Sequence, residues 1–130
     1  MRITSNYIKI LGLKEIFVFG SNEAGRHGKG AAKTAIKWGA IYGQGEGLQG
    51  RTYGIPTKNK DIKTLPISDI KKYVDRFIQF AKDSPKNIFL VTEVGCGLAG
   101  FDPKFIAPLF KDAVKLENVH LPANFWNYLK

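Results

Sequence analysis

A chain of 130 residues and 14.5 kDa, 44% hydrophobic and 24% charged, has the size of one globular domain with a buried core. Its 20 Lys and Arg against 11 Asp and Glu give a formal charge of +9, which favours polyanionic partners: nucleic acid, nucleotide phosphates or an acidic protein. The single cysteine, Cys96, excludes an internal disulfide framework and a cysteine-built zinc site. With only His27 and His120 besides, no metal site is expected. The N-terminus, MRITSNYIKILGLKEIFVFG, is too polar for a signal peptide, and no run approaches the roughly 20 apolar residues that span a bilayer. A soluble, cytoplasmic protein with no membrane partner is expected.

Glu15–Phe19 is an apolar run ending at Gly20, the pattern of a strand buried on both faces. A polar glycine loop, residues 20–30, leads into Ala31–Trp38, whose alanines and spaced apolar residues predict a helix. Residues 39–50 hold five glycines and read as irregular loop. A second strand is expected at Arg51–Ile55, ended by Pro56, with Thr57–Asp61 as an exposed polar loop. Ser68 is placed to cap a helix in which Ile70, Tyr73, Val74, Phe77, Ile78 and Ala81 share one face, terminated at Ser84-Pro85. Ile88–Thr92 is the third strand. Asp102-Pro103 has the cap-then-proline signature of a helix start, while Pro108 implies either a later start or a kink. A short strand at Val119–Leu121, with His120 in it, and a closing segment at Asn124–Leu129 complete the chain.

Strands alternating with helices predict a three-layer α/β/α sandwich with a mixed, mostly parallel central sheet. In such sheets ligands bind at the carboxyl ends of the strands. Two glycine loops, at 20–30 and 95–100, stand where a strand ends and a helix follows. On adjacent strands they could grip a diphosphate from both sides, through backbone N–H groups that glycine leaves approachable. A tight strand-to-helix turn is the alternative for either loop.

Together the two loops resemble those of the macrodomains, small α/β modules that bind ADP-ribose and its derivatives. Asn22 and Gly28-Lys29-Gly30-Ala31 match the first family loop, and Gly95-Cys96-Gly97-Leu98-Ala99-Gly100-Phe101 matches the second. The matching blocks cover about half of the chain. Within the superfamily the chain resembles the terminal ADP-ribose protein glycohydrolases, which remove ADP-ribose from acidic side chains or DNA bases. Ile55-Pro56-Thr57-Lys58-Asn59 is similar to the segment that holds their catalytic lysine, and Gly95-Cys96-Gly97-Leu98 to their second loop. Those enzymes have an Asp after Gly-Cys-Gly-Leu, where this chain has Ala99. It is also similar to small macro-like proteins encoded by phages.

The resemblance implies one ligand, ADP-ribose or a related nucleotide, and no cofactor. Gly20, Ser21, Asn22, Gly28, Lys29, Gly30, Ala31 and Thr57 would line one side, and Gly95, Cys96, Gly97, Leu98, Ala99, Gly100 and Phe101 the other. The helix after Gly30 would present its N-terminus to the diphosphate. Asn22 suits the distal ribose hydroxyls, or a turn. Lys58 would attack the anomeric carbon as the neutral amine, which desolvation or the adjacent charge of Lys60 would favour. Asp102, Glu93 and Glu23 are the candidate acids, Asp102 also being a candidate helix cap. Phe101 would stack on the ligand or belong to the core. Arg26, His27 and Lys29 would supply positive charge for phosphate or for a nucleic acid bearing the modification, or form a solubilising surface. Three functions are expected to compete: ADP-ribosyl hydrolysis from protein or DNA, sequestration of an ADP-ribose-type signal, and plain nucleic-acid binding.

Overall fold

The structure is a computed structural model that describes residues 1–129. Six strands form one sheet: β1 (Ile3–Thr4), β2 (Glu15–Asn22), β3 (Gly47–Gln49), β4 (Thr52–Lys58), β5 (Ile88–Val91) and β6 (Val119–Pro122). Their order across the sheet is β1-β6-β5-β2-β4-β3, parallel throughout except for the antiparallel β3–β4 pair. The helices are α1 (Gly30–Ala35), α2 (Ile67–Lys82), α3 (Pro103–Ile106) and α4 (Ala123–Trp126). Tighter 3₁₀ turns extend α1 over Ile36–Trp38 and α3 over Ala107–Ala113.

This is the expected α/β/α arrangement. One sheet face packs Val18, Ile55, Phe89 and Leu121 against Val74 and Phe77 of α2, Phe110, and Phe125 of α4. The other face is smaller: Phe17 and Phe19 pack on Ala32 and Ala35 of α1. The expected stripe of α2 is the buried one, with Ile70, Val74, Phe77 and Ala81 fully enclosed. β2 and β5 are adjacent and parallel, Phe17 beside Leu90, so both glycine loops leave neighbouring strands at the same edge.

Four local expectations are corrected. β4 continues through Pro56 to Lys58. β3 pairs with β4 only as far as Gly54, so that edge is open at Pro56 and its missing N–H breaks no ladder. Thr57 is therefore buried strand and Lys58 half-buried, not exposed loop. Ser68 does not cap α2, which begins at Ile67 after Pro66 with no side-chain cap. The stretch 39–50 holds one short strand, β3. At Asp102 the cap forms as read, its carboxylate accepting from Lys104 N–H at 2.9 Å. Pro108 sits at the start of the 3₁₀ extension, where a missing N–H is tolerated.

Candidate functional site

The crest formed by the ends of β2, β4, β5 and β6 brings the two glycine loops together. A Cβ built on Gly20 would stand 3.4 Å from Gly95 N and 3.7 Å from Thr57 Oγ1, so the three strand ends meet closely. Further out, a Cβ on Gly30 would touch Leu98 Cδ1 at 3.4 Å. Gly30 and Gly95 both have positive φ, +60° and +78°, which L side chains resist. These glycines have reasons internal to the protein.

Gly28 and Gly97 do not. Neither has a left-handed φ, and a Cβ on either would meet no protein atom within 4 Å. Around them, the N–H groups of Gly28, Lys29 and Gly30, and of Gly97, Leu98 and Ala99, donate to no acceptor among the described residues. All but Ala99 belong to exposed residues. These N–H groups are left for water or for an acceptor from outside the protein. α1, with six residues, adds little beyond its own first N–H groups.

Beside this crest, towards β6 and β1, lies a cleft of about 610 Å³. Its walls are Thr92 and Glu93 after β5, Ala31 and Thr34 of α1, Phe17 on the floor, and the irregular segment Ser5–Lys9. On the other side, Lys58 ends β4, paired in register with Asn22 at the end of β2; Glu23 N–H donates to Lys58 C=O at 2.9 Å. From β6 to β4 is three strand spacings, about 14 Å. Of the expected ligand-binding residues Ala31 lines the cleft, while the glycines of both loops and Lys58 stand outside its lining.

Several expected site residues are occupied within the protein. The Asn22 side chain closes the first loop on itself: Nδ2 donates to Arg26 C=O and Arg26 N–H donates to Oδ1, both at 2.9 Å. The Ser21 hydroxyl donates to Gly45 C=O, and that of Thr57 to Ser21 C=O at 3.3 Å. Phe101 packs half-buried against the larger core, and its N–H closes the second loop on Gly95 C=O at 3.0 Å. His27 is not a surface charge. It is 1% exposed, its Nε2 faces Gln44 C=O at 2.9 Å and Gln49 Oε1 at 3.2 Å, and Phe19 stands edge-on to its ring. Arg26 and Lys29 are exposed, as read.

The three candidate acids are also engaged. Asp102 caps α3, Glu93 accepts from Asn124 Nδ2 at 2.9 Å, and Glu23 accepts from Tyr73 Oη at 2.5 Å. Ala99 C=O accepts from Thr64 Oγ1 at 3.1 Å, tying the second loop to the β4–α2 connection. Burial, then the nearby charges of Glu93 and Asp102, push the Cys96 thiol up to about 12. A thiol raised in this way is held in its protonated form at neutral pH. Among the described residues no group of His, Cys, Asp and Glu gathers in a way that could hold a metal ion, and no helix is long and apolar enough to cross a membrane.

Sequence reasoning missed the Ser5–Lys9 wall and Thr92, because an irregular segment has no periodicity and a strand-end threonine no motif. The buttressing loop 41–49 was missed as well; its glycines signalled turns but not what they lean on.

No family model matches the chain, and no curated protein sequence does. Two solved structures are similar. A protein of unknown function from Bacteroides thetaiotaomicron superposes with a TM-score of 0.63 at 15% identity, over 88% of this chain and 90% of that one. DarTG of Thermosipho africanus, solved in complex with ADP-ribose, superposes with a TM-score of 0.61 at 19% identity, over 85% of this chain and 38% of that one. This chain thus corresponds to a little over a third of the DarTG chain. At these identities the likeness is one of fold, and the fold is macrodomain-like α/β.

Proposed function

We propose that this protein binds ADP-ribose or a closely related nucleotide along the crest, with the diphosphate between the loops at 20–30 and 95–101. The observation that supports this most is the pair of N–H triplets at Gly28–Gly30 and Gly97–Ala99, each holding a glycine that neither turn geometry nor packing requires. In this reading the nucleoside end lies in the cleft over Phe17, and the distal ribose extends across the loop that Asn22 holds in shape towards Lys58. The structure of DarTG with ADP-ribose supports the ligand class.

A binder that holds its ligand without cleaving it is the reading we favour. Ala99 stands where the resembling glycohydrolases have an acid, and Asp102, Glu93 and Glu23 each hold another group. Hydrolysis is the second reading, supported by the position of Lys58 beside Asn22, with Lys58 as nucleophile and Asp102 as the acid read from the sequence. Arg26, Lys29, Lys33, Lys60 and Lys63, all exposed, suit a ligand attached to DNA or to an acidic protein surface.

Incubation with ADP-ribosylated DNA and ADP-ribosylated protein separates these readings. Retention of both without release is the expected result, and release that disappears in Lys58→Ala establishes the hydrolase instead. Binding to unmodified DNA that collapses with salt and ignores free ADP-ribose would replace both with a plain nucleic-acid binder.

A further inference from the structure

The segment Ser5–Lys9 is held at its two ends and almost nowhere between. On one side, β1 pairs with β6, and Arg2 C=O accepts from Leu121 N–H at 3.1 Å and Trp126 Nε1 at 2.8 Å. On the other, Arg51 Nη2 donates to Gly12 C=O at 2.7 Å, and Gly12 N–H donates to Glu15 Oε1 at 2.6 Å. Between Ser5 and Ile10, the only hydrogen bonds among the described residues are local ones between the Ser5 hydroxyl and the Tyr7 backbone, and Ile8 alone packs on the smaller core.

There is open space on both flanks. Ser5, Tyr7, Ile8 and Lys9 line the 610 Å³ cleft and also a second one of about 420 Å³ floored by Leu90, Glu15 and His120. A strap with voids on both sides and no ladder to the body moves at little free-energy cost. Among the residues lining the larger cleft only Tyr7 and Phe17 are aromatic; Phe17 is the buried floor, and Tyr7 is 84% exposed.

We infer that Ser5–Lys9 is a closing wall of the nucleotide site and that Tyr7 is its specificity-determining residue, its ring folding over the base that lies on Phe17. This rests on the nucleotide reading above. An aromatic ring covering a planar base gains stacking area in the bound state and gives up little that it holds when exposed. The strap thus selects ligands that carry a base over bare sugar phosphates.

The test combines calorimetry with ADP-ribose and hydrogen exchange across residues 5–11, on the unmutated protein, Tyr7→Ala and Tyr7→Phe. ADP-ribose is expected to slow exchange in the strap. Tyr7→Ala should weaken binding by about tenfold or more, with Tyr7→Phe within about twofold of the unmutated protein, because the ring and not the hydroxyl acts. If ADP-ribose binds but strap exchange is unchanged, or Tyr7→Ala binds equally well, the strap inference is overturned and the nucleotide site stands. If the unmutated protein does not bind ADP-ribose, the nucleotide reading itself falls, and the strap with it.

Discussion

Leu98 of the second glycine loop reaches across to Gly30 of the first, its Cδ1 3.4 Å from where a Gly30 Cβ would be, so the loops form one continuous rim. On either side of that contact, Gly28 and Gly97 face open space. Alanine at either position should leave stability within about 0.5 kcal/mol, since nothing in the protein opposes it. ADP-ribose affinity should nonetheless fall by about tenfold or more, the new methyl standing where the proposed site brings the diphosphate to the backbone. Thermal melts beside calorimetry check both halves; equal affinity in both variants would mean that the ligand lies elsewhere.

Gly45 shows the opposite case. A Cβ there would fall on the Asn22 carbonyl oxygen, a backbone atom in the middle of the crest, and the Ser21 hydroxyl already bonds the Gly45 carbonyl. Gly45→Ala should therefore cost about 3 kcal/mol or more, measured by urea denaturation. A variant as stable as the parent would show that loop 41–49 does not buttress the site.

Asn22 holds the first loop through its two bonds to Arg26. Both Arg26 groups can turn to water in Asn22→Ala, so the stability loss should be about 1 kcal/mol, while the loop loses its fixed shape. Affinity should fall more than stability. Hydrogen exchange at residues 23–30 that rises in the variant would confirm the cause.

Much of this was legible in the residues. Apolar runs ending in glycine located β2 and β5, and the α2 stripe located its buried face, because buried strands and amphipathic helices write their period into sequence. The extension of β4 past Pro56 was not legible, since it depends on which edge β3 leaves open. Nor was the burial of His27, a residue in a polar loop, since that requires Gln44 and Gln49 to fold back over it. For the site, the glycines were visible as two loops. Which of them faced protein and which faced space depended on tertiary contacts no spacing encodes.

His120 gives a pH signature. Burial, and then the Arg2 charge, lower its pKa, against a smaller opposing effect of Glu15. The folded state thus binds this proton less readily than the unfolded chain. Its contribution is complete above the unfolded value, near 6.5, and is lost as pH falls from there towards the folded one. His120→Gln should flatten that part of the stability profile, followed by melts between about pH 7 and 5. An unchanged slope would assign the acid sensitivity to other groups.

The central claim is tested most directly by calorimetric titration of the protein with ADP-ribose, beside Gly97→Glu, which places a carboxylate at the position proposed for the diphosphate. One site per chain, with binding abolished in Gly97→Glu while its melting temperature is kept, is the predicted result. No heat with the unmutated protein, or equal binding by Gly97→Glu, would contradict it.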